Sequence, residues 1–282
     1  MAKMWFGTRN YMTWVECPAV GVDSSKFDWN SQTNFLNGGA NVRRSVNAHK
    51  EFQLSWNMTK RENIRAISDF ADGFYGAGPI YWADPFTMDT NMMPAQWGAM
   101  YLNTKDGTAY NGVTRPVQVN TDANTLGYPV YSATYTVGAS DTQPSVWIPI
   151  PPGYTAWVGA KGVSGSGGLL RAIPTTGPST TGTAVTINPT AVGSTIRVTQ
   201  SFARSAGYDG VLITLGGSGT ITLTSVIVQV LKDGVVPATG GFISGQGHSG
   251  CSFAAQPTLN NYSAALDKVG LTAKLVETQA WV

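Results

Sequence analysis

Residues 59–97 read TKRENIRAISDFADGFYGAGPIYWADPFTMDTNMMPAQW, and two hydrophobic periods meet there. Just upstream, Phe52, Leu54, Trp56 and Met58 alternate with Glu51, Gln53, Ser55 and Asn57. A period of two predicts a strand with one buried and one polar face. That strand is expected to run from Val42 to Met58. From Ile64 the spacing changes to Ile64, Ile67, Phe70 and Ala71, which is helical. Thr59-Lys60-Arg61-Glu62 has the form of a capping box, and Gly73 supplies a left-handed stop. The expected helix has about four turns and lies across the strand before it. Beyond it come Phe74-Tyr75-Gly76-Ala77-Gly78-Pro79, a short strand at Ile80-Tyr81-Trp82, and then Asp84-Pro85 and Asn91…Pro94. Proline forces its predecessor out of the α region, so this part is expected to be an ordered loop crossing a surface. It is rich in Gly, Pro, Trp, Tyr and Asn, which suits a fixed backbone built to be packed against.

Residues 1–40 are aromatic and turn-rich, with short strands expected between turns such as Asn37-Gly38-Gly39. Residues 104–115 read as a linker. From Pro116 the aromatics thin out and Thr, Val, Ser and Gly take over. Runs at 130–137, 145–150, 154–158, 184–187, 195–199, 211–215 and 220–231 are β-branched and separated by turns. That pattern predicts a β-sandwich or jelly roll, with Gly216-Gly217-Ser218-Gly219 as a hairpin turn between two of its strands. Residues 237–250 are Gly-rich, and the tail returns to alternation at Leu271, Ala273 and Leu275. The expected fold is mainly β. A β-barrel or sandwich domain with one short helix spans 1–112 with 255–282. An inserted β-sandwich spans 113–236, and 237–254 is a return linker.

The chain has 282 residues, of which 42% are hydrophobic and 12% charged. Ordinary soluble domains carry roughly 25% charged residues. A surface poor in charge and rich in Thr, Ser and Asn suits a protein packed against copies of itself or neighbours. The net charge of +2 and the absence of a Lys/Arg stripe argue against a nucleic-acid footprint. No run approaches the roughly 20 apolar residues of a membrane span, and the N-terminus lacks the apolar core of a signal peptide. Cys17 and Cys251 have no metal or redox spacing. A disulfide between them is open, and two reduced thiols suit a chain folded in a cytoplasm.

Catalytic and ligand sets are sparse. His49 and His248 are the two histidines, and no Gly-x-Ser-x-Gly elbow accompanies them. Asp84, Asp89 and Asn91 lack the calcium-loop spacing and its closing Glu. Nothing places Asp69, Asp72, Asp84 and Asp89 as a carboxylate pair across a cleft. Gly76-Ala77-Gly78 runs into Pro79 rather than a helix, so it is no phosphate loop. Trp147, Tyr154 and Trp157 are candidates for stacking on a sugar ring, although alternate residues of their strands must face a core, where Trp is mostly buried. No cofactor, metal or catalytic role is expected; the chain reads as a structural protein rather than an enzyme.

The motif Gly78-Pro79-Ile80-Tyr81-Trp82-Ala83-Asp84-Pro85, followed by Asn91, Pro94 and Trp97, resembles minor tail proteins of long-tailed bacteriophages of actinobacteria. The closing Leu275-Val276-Glu277…Ala280-Trp281 is similar to their C-termini. Together these cover about residues 42–102 and 262–282. The resemblance implies a distal-tail architecture: a tail-tube-like ring domain, often hexameric, carrying a peripheral sandwich like a galectin or carbohydrate-binding module. It implies self-association, tail-tube and tail-tip partners, and a place in the virion tail after assembly in a host cytoplasm. Helix 60–72 and the loop 74–98 are expected at the subunit interface, with Phe74, Tyr75, Gly78, Pro79, Tyr81, Trp82, Asp84, Pro85, Asn91, Pro94 and Trp97 as its candidates. The alternative is a receptor-binding module whose sandwich grips host cell-wall glycan.

Overall fold

The computed structural model describes residues 2–18, 22–27, 30–34, 40–44, 49–94, 117–119, 130–137, 145–163, 166–177, 180–191, 198–237, 245–263 and 265–278. The chain opens with β1 (Lys3–Thr8), β2 (Tyr11–Glu16), β3 (Val22–Phe27), β4 (Asn30–Asn34), β5 (Ala40–Arg44) and β6 (His49–Lys60). Next come α1 (Arg61–Ala71), β7 (Tyr81–Ala83) and α2 (Pro85–Asp89). The middle holds β8 (Val117–Val119), β9 (Val130–Val137), β10 (Ser145–Pro149), β11 (Tyr154–Val163), β12 (Gly168–Thr175), β13 (Val185–Ile187), β14 (Val198–Ala203), β15 (Gly210–Gly217) and β16 (Gly219–Lys232). The chain then returns through β17 (Cys251–Phe253), β18 (Thr258–Ser263) and β19 (Lys268–Glu277). The fold is mainly β, with antiparallel sheets and no closed barrel among the described residues.

The middle segment is a two-sheet sandwich. One sheet has the order β10-β15-β12-β13 and the other β14-β11-β16-β9-β8. Val146, Ile148, Leu170, Ala172, Ile213 and Leu215 of the first sheet meet Ala156, Val158, Ile221, Leu223, Val226 and Val228 of the second in one buried cluster. Strand β12 has no counterpart in the sequence reading, because Gly168, Arg171 and Pro174 interrupt its apolar pattern. Pro174 lies beyond the end of β13, which pairs only with Leu170 to Ala172, and its carbonyl accepts from Gly182 N–H at 2.7 Å, so this sheet edge loses only the one missing N–H. The expected hairpin at Gly216–Gly219 is not one. Strands β15 and β16 belong to different sheets, and Ser218 N–H donates to the Gly167 carbonyl at 3.0 Å as the chain crosses between them. A Cβ on Gly219 would overlap the Ser166 carbonyl, so this corner requires glycine.

The N- and C-terminal strands share a sheet of order β17-β19-β6-β3, with β18 also pairing with β19. Phe52, Leu54 and Trp56 of β6 and Leu271, Ala273 and Leu275 of β19 bury one face under α1, whose Ile64, Ile67 and Phe70 point inward. The strand expected over 42–58 is divided: β5 pairs with β4, while β6 pairs with β19 and β3. The alternation also fails at Met58. A register shift opposite Gly270 marks a bulge, which bends the strand locally. Met58 there has a φ of 51° and is 39% exposed, while Thr59 turns inward. The capping box is therefore not made. Thr59 Oγ1 lies 3.5 Å from Glu16 Oε1, Lys60 takes the N-cap position without a side-chain cap, and Arg61 N–H donates to the Asp267 carbonyl. Helix α1 has 11 residues, about three turns. No helix among the described residues is long and apolar enough to cross a membrane.

Candidate functional site

The third sheet, β2-β1-β7, is buried on both faces along β1 and β7, while β2 is mostly half-buried. Opposite residues in its ladders share a face, which sorts the side chains into two sets. Met4, Phe6, Val15 and Trp82 point into the core under α1, whereas Trp5, Trp14 and Ala83 point at the sandwich. Tyr81 joins the second set, with its ring 4.7 Å from Trp147 at 72°. Trp14 lies 6.0 Å from Tyr154 of β11. Strand β7 therefore serves both cores at once, Trp82 in the one under α1 and Ala83 in the sandwich cluster, while Tyr81 packs on Trp147. A strand buried on both faces reads as an unbroken apolar run, which is why 80–83 shows no alternation.

The segment after β7 completes the joint. Asp84 does not simply break structure. Its Oδ1 accepts from the amides of Phe86 and Thr87 at 3.0 and 3.1 Å, capping the short helix α2, with Pro85 at the first turn. Met88 enters the sandwich core. Asn91 is fully buried and behaves as a fragment of strand against the open edge of β16. Its Oδ1 accepts from Val228 N–H at 3.0 Å and Met93 N–H at 3.1 Å, and its Nδ2 donates to the Val226 carbonyl at 3.1 Å. Met92 N–H adds a bond to the Val228 carbonyl at 2.8 Å. Strand β9 covers β16 only as far as Leu223, so these bonds take over where the sheet partner ends.

The expected return linker is not a linker from residue 245 onward. Gln246 N–H donates to the Asn91 carbonyl and Gly247 N–H to the Met93 carbonyl, at 2.9 and 3.1 Å. A Cβ on Gly247 would overlap the Met92 carbonyl, which is the physical reason for glycine there. Cys251 bridges Ile80 through two backbone bonds and enters β17. His248 lies against Trp82, ring centres 3.6 Å apart, and its Nε2 accepts from Trp82 N–H at 3.4 Å. In the neutral ring Nδ1 then carries the proton. Nδ1 faces Cys251 Sγ at 3.8 Å. Sequence reasoning missed this strap, because its glycines mimic a flexible linker and report instead the closeness of two backbones.

The His248–Cys251 pair is the one arrangement among the described residues that could suggest nucleophilic chemistry. Its electrostatics oppose activation. Burial first, and the Lys50 ammonium second, hold His248 down at about 3. Burial and then Glu277 push the Cys251 thiol far up, so the pair is neutral and no thiolate forms. Cys17 is raised to about 11 by burial, with Asp84 and Glu16 adding to it, and neither cysteine is in a disulfide. A cleft of about 480 Å³ beside Trp82 is lined by Cys17, Phe52, Asp84, Phe86, Gln246 and His248. The Asp84 carboxylate on its wall is already occupied by the α2 cap. Among the described residues, no group of three or more His, Cys, Asp or Glu could hold a metal ion.

Of the interface candidates, Tyr81, Trp82, Asn91 and Pro94 are buried in the chain's own joint, where Pro94 pairs with Gly247. Asp84 and Pro79 are half-buried, and Pro85 and Gly78 are exposed. Phe74 is 76% exposed, and Tyr75 stacks on Tyr11 with ring centres 4.4 Å apart. Trp97 lies outside the described residues, as do Trp281, the turn at 37–39 and the linker at 104–115. Of the sugar-stacking candidates, Trp147 is corrected. It is buried, its Nε1 donates to Thr175 Oγ1 at 3.0 Å, and the Arg9 guanidinium covers its ring. Tyr154 and Trp157 are half-buried, with Trp157 on the face of β11 opposite the core residues Ala156 and Val158.

The fold and joint define a class: two antiparallel β units welded through a shared sheet. The chain matches no family model, no curated protein and no solved structure.

Proposed function

We propose that this chain is a structural component of a bacteriophage tail tip, a distal-tail ring subunit or an adjacent minor tail protein that links the tail tube to the tip. One observation carries the reading. The motif that resembles minor tail proteins is spent on a rigid joint: Trp82 enters the core under α1, Ala83 enters the sandwich cluster, and Asn91 closes an open sheet edge. A joint of this kind holds an outer β unit at a fixed angle to an inner one, which is what a tail adaptor needs. The Asn91 amide, the Asp84 carboxylate and the His248 ring are engaged in holding the joint together. Self-association, tail-tube and tail-tip partners and a virion location belong to this proposal.

The test is the mass of the full chain by light scattering, with negative-stain images of the same sample alone and mixed with assembled tail tubes. Closed rings, or decoration of tube ends, are expected. A chain that forms no ring and leaves tube ends bare would count decisively against it.

A further inference from the structure

Helix α1 carries its charges against its own dipole. Arg61 opens it, Arg65 follows a turn later, and Asp69 and Asp72 stand at its C-terminal end. The positive N-terminus of a helix favours acidic residues and the negative C-terminus favours basic ones. Only Glu62 follows that rule, and the last turn holds no basic residue. Arg65 and Asp69 form a local pair 3.8 Å apart. The basic residue comes first, which is the less favourable order for positions one turn apart. A sequence that departs from local preference on an exposed face has a use for that face elsewhere.

Arg61, Arg65, Ser68 and Asp72 form one stripe at helical spacing, with Asp69 beside it. The stripe borders a groove of about 590 Å³ floored by Ile64, Val269 and Leu271 and walled by Leu259 of β18. Leu259, Tyr262 and Leu266 beside it are 67%, 61% and 62% exposed. Strand β18 pairs only with β19 among the described residues, and it contains neither the charge nor the proline that usually protects an edge.

We propose that this face is a twofold docking surface for a second copy of the chain, with α1 lying antiparallel against its counterpart. Such an arrangement sets Arg61 against the partner subunit's Asp72 and Arg65 against the partner subunit's Asp69. The first pair is centred between Ala66 and Ile67 and the second at Ile67, close enough along the helix for one axis to serve both. That self-complementarity is what an isologous contact requires. A parallel copy would set Arg against Arg and Asp against Asp, and a partner of one sign of charge would satisfy half of the stripe and repel the other half. Of the other charges at this face, Lys60 Nζ lies 3.7 Å from Glu62, and Asp267 lines the groove with Arg61. Leu259 and Leu266 close over the seam. The contact shares with the tail-tip reading only the premise of self-association, since a ring is built from head-to-tail contacts and this one is twofold.

Sedimentation of the full chain tests it, using wild type, Arg61→Glu/Arg65→Glu, Asp69→Lys/Asp72→Lys and an equimolar mixture of the two variants. Wild type is expected as a dimer that dissociates at high salt. Each variant is expected as a monomer that still melts cooperatively, since each reversal eases the dipole mismatch although it makes residues 65 and 69 like-charged. The mixture should recover the dimer mass. A wild type still monomeric at about 1 mM would overturn the proposal, since any useful affinity is tighter than that. So would a dimer indifferent to both reversals, or a mixture that stays monomeric. Rings unaffected by either reversal would overturn this contact and leave the tail reading intact; a recovered dimer with bare tube ends would do the opposite.

Discussion

Replacing Asn91 with alanine is the sharpest probe of the joint. The side chain holds Val228 N–H, Met93 N–H and the Val226 carbonyl, all buried. Alanine leaves all three without their partner. An orphaned buried donor or acceptor costs about 1–3 kcal/mol, so the expected loss is about 3–6 kcal/mol after partial relaxation. Such a loss is a large part of the stability of an ordinary domain, roughly 5–15 kcal/mol. The location predicts more than a magnitude. Trp5, Ala83, Met92 and Met93 share one core with the sandwich, so wild type should unfold in a single calorimetric transition. Asn91→Ala should split it, because the edge of β16 loses the bonds that tie it to the first unit. Asn91→Asp should not rescue, since it places a carboxylate oxygen against the Val226 carbonyl. Urea titration followed by both near- and far-ultraviolet circular dichroism would measure the loss. A change below about 1 kcal/mol, with one intact transition, would refute the reasoning.

Three further outcomes follow from the same geometry. His248 falls from 6.5 in the unfolded chain to about 3 in the fold, so the unfolded state binds the proton first as pH drops. Stability should therefore decline below the unfolded value by up to roughly 1.4 kcal/mol per pH unit until the folded value is reached, and denaturant midpoints in His248→Gln should lose that part of the slope. Gly247→Ala should cost about 1–3 kcal/mol by forcing the strap off the Met92 carbonyl, read as a lowered melting temperature; an unchanged one would contradict the close approach. Trp147→Ala should cost about 3–5 kcal/mol as the truncation of a buried side chain, whereas Trp157→Ala, at a half-buried position, should lower the melting temperature less, and its effect in a cell-wall pull-down is read on the folded variant.

The sequence by itself determined what depends on neighbours along the chain. Alternation in Phe52, Leu54 and Trp56 marked β6, helical spacing of Ile64, Ile67 and Phe70 marked α1, and β-branched runs marked most of the sandwich strands. Gly73, at φ 77°, does stop the helix. Charge and cysteine content also come straight from composition. Tertiary structure alone decided what depends on groups far apart in sequence. The capping box at Thr59 lost to a bulge opposite Gly270, because pairing with β19 sets which way Thr59 faces. Asp84 became a cap rather than a breaker once Pro85 started a turn over the sandwich core. The glycines at 245 and 247 resembled a linker because nothing local reveals the backbone of Met92–Pro94 lying against them. Asn91 was visible as an unusual residue in an unusual segment, but its partners Val226 and Val228 lie more than a hundred residues away on an edge that exists only after β9 has ended. A hydrogen bond of that kind is a property of two surfaces brought together, and no pattern within one segment encodes it.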